Sequence, residues 1–330
     1  VSAQTDRSAT SGRQSADAAE GMTVVARTQA EIIRRRFFRH RAAMAGLVTL
    51  LFVIVLAYSS IGVGPIPGWW DKTYMSTASV LDGGRPTLSL VPGFLGGDGI
   101  RLGEHPFGQD NVGIDYFALV MRGTQQSLTV AFLIGFVSTV IGATVGATSG
   151  YFRGRTEAVL MRFTDVMIAI PVLVFAAILA AAAGRAGIVA LGVAIGAVTW
   201  TGLARLVRGE FLSLREKEFV EAARAAGTRS TRIIFKHIMP NTVGVIIVSA
   251  TLAIAAGILL ETALSYLDLG VRAPDVSLGS LISRYETAMQ TRPWLFWWPG
   301  VFIVAIALSV NFIGDGLRDA FDPRQTRVRD

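Results

Sequence analysis

Six stretches of this chain, beginning at Ala42, Gly123, Val166, Ala186, Thr242 and Trp294, are long enough and free enough of charge to cross a bilayer, which takes about 20 residues of helix. Hydrocarbon offers no water to the backbone N–H and C=O groups, so such segments fold as helices. A soluble fold would have to bury all six runs, and the chain has too little charged surface for that. It is 52% hydrophobic and 17% charged, with a mean hydropathy of +0.50. The expected fold class is an all-α integral membrane protein with six transmembrane helices.

The basic residues set the orientation, because Lys and Arg are retained on the cytoplasmic side. With the N-terminus inside, 23 of the 31 Lys and Arg fall on that side. Both termini are therefore expected in the cytoplasm, together with the insert between the fourth and fifth spans. Trp69, Trp70, Trp294, Trp297 and Trp298 fall at the outer interface in this arrangement. The net charge of +7 and pI of about 10.2 follow from the same bias and require no nucleic acid partner. Arg34, Arg35, Arg36, Arg39 and Arg41 precede the first span and suit anionic membrane lipid. Residues 1 to about 30 read as disordered. The uncharged run from Ala42 to Trp70 reads as an uncleaved anchor, and a Gly- and Pro-rich external segment of about fifty residues follows it, too long for a simple turn.

The insert from Arg205 to Pro240 is charged and helix-prone. Phe219, Ala222, Ala223 and Ala226 recur at helical spacing, so one face can bury while Glu218, Glu221 and Arg224 point elsewhere. Gly227 suits a left-handed C-cap. A hydroxyl among Thr228, Arg229 and Ser230 is placed to cap a second amphipathic stretch carrying Ile233, Ile234 and Ile238, which is expected to stop before Pro240. Two short helices joined by a tight corner, with adjacent alanines open to close approach, make a docking knob. A solvated loop with ordinary charge pairs is the alternative.

Catalytic chemistry has no visible seat. The sequence contains no G-x-x-x-x-G-K-[ST] phosphate loop, and the absence of cysteine excludes disulfides and thiolate metal sites. His40, His105 and His237 are too scattered for a metal site or a triad and read as ordinary surface or interface residues. Asp165, Glu261 and Asp315 sit near span ends, where interfacial capping or pairing with Arg162 or Arg318 is expected. Pro171 predicts a kink. Gly142, Gly146, Gly192 and Gly196, at four-residue spacing, predict close helix packing within the chain or against a second subunit.

Glu221-Ala222-Ala223 with Gly227, followed by His237-Ile238-Met239-Pro240, resembles the EAA loop of ABC-importer permeases. His105-Pro106-Phe107-Gly108-Gln109-Asp110 with Gly113, Asp115, Gly123 and Ser127-Leu128 resembles the signature before the second span in C-type permeases of dipeptide, oligopeptide and nickel importers. Gln109, Ile114 and Gln125 depart from that pattern, where the family usually has Thr, Arg and Arg. Further similarity lies in Gly150–Gly154, in Met161-Arg162 with Asp165 and Pro171, and in Asn311–Asp319 with Asp322-Pro323-Arg324. The resemblance spans roughly His105 to Arg324.

It implies a type I importer permease fold with a cytoplasmic coupling-helix hairpin between the fourth and fifth spans. The chain then divides into a basic tail (1–41), a first span with its external loop (42–122), a five-span permease core including the EAA loop (123–317, loop 205–240) and a C-terminal tail (318–330). ATPase coupling falls to Glu218, Phe219, Glu221, Ala222, Ala223, Arg224, Ala226 and Gly227, and substrate-binding residues are not identified. The implied partners are a paralogous permease, two ATPase subunits or one fused ATPase, and an extracytoplasmic substrate-binding protein. No cofactor is expected in this chain; ATP and Mg belong to the ATPases. Dipeptides or oligopeptides crossing a bacterial cytoplasmic membrane are the leading cargo, with nickel complexes or another small solute as the alternative. A secondary transporter would show mid-membrane ionisable residues or broken helices more clearly.

Overall fold

The computed structural model describes residues 28–89, 99, 101–183 and 186–322; the tail before Thr28, Arg185 and the terminal Pro323-Arg324 lie outside them. Within the described residues the chain is mostly helical, the main exception being the segment between Ser60 and Tyr116. A short helix α1 (Gln29–Arg39) leads into α2 (Arg41–Ser60), α3 (Tyr116–Phe152), α4 (Gly154–Ala169), α5 (Val172–Ala183), α6 (Ile188–Thr199) and α7 (Thr201–Arg215). Then come α8 (Glu218–Ala225), α9 (Ser230–Tyr266), α10 (Leu278–Tyr285) and α11 (Trp294–Phe321). Four of these, α2, α3, α9 and α11, are individually long and apolar enough to span a membrane, and the bent pairs α4–α5 and α6–α7, each counted as one span, bring the number to six.

The third span is broken, not merely kinked. α4 and α5 meet at 89°, because the residue before a proline is pushed out of the helical region. Ile170, preceding Pro171, is extended at φ −84 and ψ 126, and α4 stops at Ala169. The fourth span bends by 49° at Trp200. The second span begins at Tyr116, seven residues ahead of the uncharged run, because Asp115 caps it by accepting from the Ala118 N–H at 2.8 Å.

At 37 residues, α3 is the central pillar and packs against α2, α6, α7 and α9. Glycine permits the closest of these approaches. A Cβ at Gly146 would fall 2.5 Å from the Ala204 carbonyl and one at Gly196 2.7 Å from the Val137 Cβ, so the spaced glycines pack within this chain.

The first uncharged run is only partly helix. α2 ends at Ser60, and a two-residue hairpin pairs Gly62 with Pro67 and Val63 with Ile66. The Gly- and Pro-rich segment that follows then folds back over the N-terminal end of α3. His105, read as an ordinary surface or interface residue, is buried, with Nδ1 2.7 Å from Asp115 Oδ2. Asp115 also accepts from Trp70 Nε1 at 3.1 Å. Asp110 Oδ1 accepts from the N–H groups of Val112 and Ile114, and its Oδ2 accepts from the Tyr285 hydroxyl at 3.1 Å. Burial and that neighbouring carboxylate push the Tyr285 phenol up to about 12. Phe107 stacks on Trp298 with ring centroids 3.8 Å apart. The residues of the His105–Asp115 signature are therefore the struts of a cap on that end of α3, the outer cap in the expected orientation.

The ionisable residues of the spans take other partners than sequence proximity suggests. Asp165 pairs with Arg205 at 2.6 Å across two helices, not with Arg162. Glu261 is fully buried, accepting from Ser127 Oγ at 2.9 Å and Ser265 Oγ at 2.6 Å. Ser127 accepts in turn from the Leu278 N–H, so this cluster ties α3, α9 and α10 together. Asp315 is exposed. His40 joins α1 to α2: its Nδ1 accepts from the Ala43 N–H, capping α2, and its Nε2 lies 3.3 Å from Asp319.

Candidate functional site

The insert between the bent fourth span and α9 forms a hairpin. After α7 ends at Arg215, the chain turns through Glu216 and Lys217 into α8. Glu218 and Glu221 occupy the first turn of α8 and Arg224 the last, the distribution that complements the helix dipole. The helix closes on Gly227 at φ +73. The Gly227 N–H donates to the Arg224 carbonyl and the Thr228 N–H to the Ala223 carbonyl, the Schellman pattern that Gly227 predicts. Nothing lies within 4 Å of a Cβ built at Gly227, so the corner is open outward.

The buried side of α8 differs from the one expected. Val220, which the alanine periodicity passes over, is fully buried, and Ala223 is half-buried behind it. Phe219 is 43% exposed, and Ala222 and Ala226 are exposed with Glu218, Glu221 and Arg224. Burying a valine side chain stabilises by about 1.5–3 kcal/mol, whereas an alanine offers only a methyl group. One valine therefore fixes the rotation of the helix, and the small apolar stripe is left facing out.

The second arm also departs from expectation. No hydroxyl caps it; Arg229 is the cap residue and Ser230 is already helical. The helix does not stop before Pro240 but continues to Tyr266 as α9. A π-helical turn over Ile233–Ile238 precedes the proline, with the Met239 N–H donating to the Ile234 carbonyl. Pro240 has no N–H to offer the preceding turn, and the widened turn, a known device for one extra residue, carries the helix past it. Ile233, Ile234 and Ile238 are buried as expected, in one cluster with Val220, Phe211, Val207, Ala147 and Tyr151.

That cluster seats the hairpin on the corner between α3 and α4, and charge reinforces it. Arg215 donates to the Tyr151 carbonyl. The guanidinium groups of Arg215 and Arg224 lie 5.7 and 5.6 Å from the centre of the Tyr151 ring. Arg153 at the start of α4 reaches Glu216 at 3.0 Å. Tyr151, Arg153, Arg215, Glu216 and Val220 are contact positions of the hairpin that periodicity within the insert does not reveal, though Tyr151 and Arg153 lie inside the Gly150–Gly154 match. The exposed side of the hairpin is small and apolar along Phe219, Ala222 and Ala226, acidic at one end and basic at the other.

The sequence matches the family described as binding-protein-dependent transport system inner membrane component over residues 138–327. It matches the N-terminal TM domain of oligopeptide transport permease C over residues 28–66. Relatives include the oligopeptide transport system permease protein OppC of Haemophilus influenzae, 38% identical over 94% of each chain. The protein of the same name in Mycobacterium bovis is 37% identical over 90% of this chain and 96% of its own. A putative peptide permease protein of Brucella ovis is 38% identical over 88% of this chain and 89% of its own. Among solved structures, a chain of the inward-facing MetNI methionine ABC transporter superposes with a TM-score of 0.51 at 20% identity, over 62% of this chain and 96% of that one; at that identity the likeness speaks for the fold alone.

Proposed function

Since this chain belongs to the family of binding-protein-dependent transport system inner membrane components, we propose that it is a permease subunit of an ATP-driven importer and forms half of the translocation path for dipeptides or oligopeptides. The cargo reading rests on relatives of nearly the same length that carry oligopeptide permease names. The coupling reading rests on one observation: α8 is clamped to the α3–α4 corner while Phe219, Ala222 and Ala226 face outward. A helix held on one side and bare on the other transmits the push of a partner.

In this proposal a paralogous permease completes the path, two ATPase subunits or one fused ATPase dock on Glu218–Gly227, and an extracytoplasmic binding protein delivers cargo. ATP and Mg sit on the ATPases, and this chain hydrolyses nothing. It is multi-pass in a bacterial cytoplasmic membrane, with both termini and the hairpin on the cytoplasmic side. The test is reconstitution with and without those partners. Hydrolysis and peptide uptake are expected only in the full assembly, faster with loaded binding protein. Uptake driven by a proton gradient without ATPases, or hydrolysis by this chain alone, would refute the proposal.

A further inference from the structure

The face shared by α4 and α7 is charged, open and uncovered by the other described residues. α4 buries a single residue, Thr164. One of its sides is apolar, with Val159 68% and Phe163 55% exposed. The other carries Glu157, Met161 and Asp165 at four-residue spacing toward α7. Glu157 accepts from Arg208 Nε at 2.8 Å and Asp165 from Arg205 at 2.6 Å. With exposed Arg162, these residues line a cavity of about 540 Å³.

Both helices are halves of bent spans, and Arg205 stands about 15 Å up α7 from the turn at Arg215. Ionised side chains facing hydrocarbon cost roughly 2.5–3.5 kcal/mol each on insertion scales. Five of them cannot face lipid there, yet Asp165 and Arg205 are each about half exposed in this chain. Such a face suits water or polar partner groups rather than lipid. Its three arginines outnumber its two carboxylates, and the carboxylates already hold Arg205 and Arg208. That leaves Arg162 outside any salt bridge among the described residues.

We infer that the α4–α7 face is a wall of the aqueous solute path, where Arg162, flanked by the tethered Arg205 and Arg208, binds the carboxylate end of a zwitterionic solute. The inference rests on the reading of this chain as half of a solute path and names the residues that path would use. Hydrogen-bonded, net-positive walls suit a carboxylate because guanidinium forks match its geometry.

The cysteine-free sequence makes the test direct. In inside-out vesicles holding the full transporter, single cysteines replace Met161 or Val159 and meet a charged, membrane-impermeant thiol reagent. M161C should react about tenfold faster than V159C, since only the former faces water. Millimolar dialanine should slow the M161C reaction several-fold, dialanine amide should not, and adding Arg162→Gln should remove the protection. M161C that reacts only with a lipid-permeant maleimide would make this face a lipid or subunit contact and overturn the inference. Equal protection by acid and amide, or none by either, would also overturn it. ATP-driven uptake by the same vesicles is scored separately, so its absence in the unaltered transporter counts against the proposed function instead.

Discussion

Arg153 and Glu216 meet at 3.0 Å and join the α3–α4 corner to the turn that enters α8. Both side chains are about half exposed, and exposed pairs contribute only about 0–1 kcal/mol. The pair therefore aims the hairpin more than it stabilises the fold. Reversing either charge is predicted to lower peptide uptake per ATP hydrolysed while leaving membrane levels normal, and the double swap, Arg153→Glu with Glu216→Arg, should recover much of the loss. A swap no better than either single change would remove the pair from the coupling route.

Gly227 gives a second prediction. Its φ of +73 costs a side chain about 1–2 kcal/mol, and the space around it is empty. Gly227→Ala should be tolerated with a modest loss, whereas Gly227→Arg should also crowd the docking surface and uncouple transport from hydrolysis. Glu221→Arg should do the same through charge alone, with the turn intact. Wild-type uptake and substrate-stimulated hydrolysis in both variants would show that Glu221 to Gly227 is not the coupling element.

Topology is the third. A cysteine at Ser230 should be inaccessible to an impermeant reagent added outside intact cells, whereas one at exposed Gly83 should be reachable from outside directly and one at buried Tyr285 once the outer cap is loosened. Labelling at Ser230 under those conditions would invert the orientation.

The buried cluster around Glu261 supplies a fourth. Glu261→Leu leaves the hydroxyls of Ser127 and Ser265 without their acceptor, at about 1–3 kcal/mol for each group left unsatisfied. The melting temperature of the purified chain should fall clearly, with Glu261→Gln falling less because it keeps one acceptor oxygen. Identical melting of the leucine variant and the parent would mean the serines find other partners.

The fifth concerns alkaline pH. Tyr285 titrates near 12 against an ordinary 10.0, so the folded state holds this proton more tightly than the unfolded one. The stability this contributes is complete below pH 10 and is lost as the pH rises toward 12. Thermal melts between those values should show a decline that Tyr285→Phe lacks. A parallel decline in both would remove Tyr285 from the outer cap's titration.

The spans were legible because a charge-free run of bilayer length has few other uses, and the corner at Gly227 because left-handed backbone favours glycine. The break at Pro171 was visible in place but not in size. Less was readable where the decisive contacts lie far apart in sequence. Asp115, the cap of α3, is itself held by Trp70, 45 residues away, and by His105, and Glu261 finds one of its two serines, Ser127, on a different helix. On α8, alanines at helical spacing define a stripe without saying whether it faces in or out; Val220 decides, through its contact with residues of α3, α7 and α9. The π-helical turn before Pro240 leaves no composition signal at all.

The unbroken length of α3 makes it a lever. Its 37 residues extend about 55 Å, well beyond a hydrocarbon core of about 30 Å. One end carries Tyr151, on which the hairpin rests, and the other Asp115, on which the outer cap hangs. A rotation of about 5° about the midpoint of such a rod moves its two ends about 2.5 Å in opposite directions. A small displacement of α8 would thus arrive at the far side of the membrane as a movement of the opposite sense, with no signal having to pass from side chain to side chain.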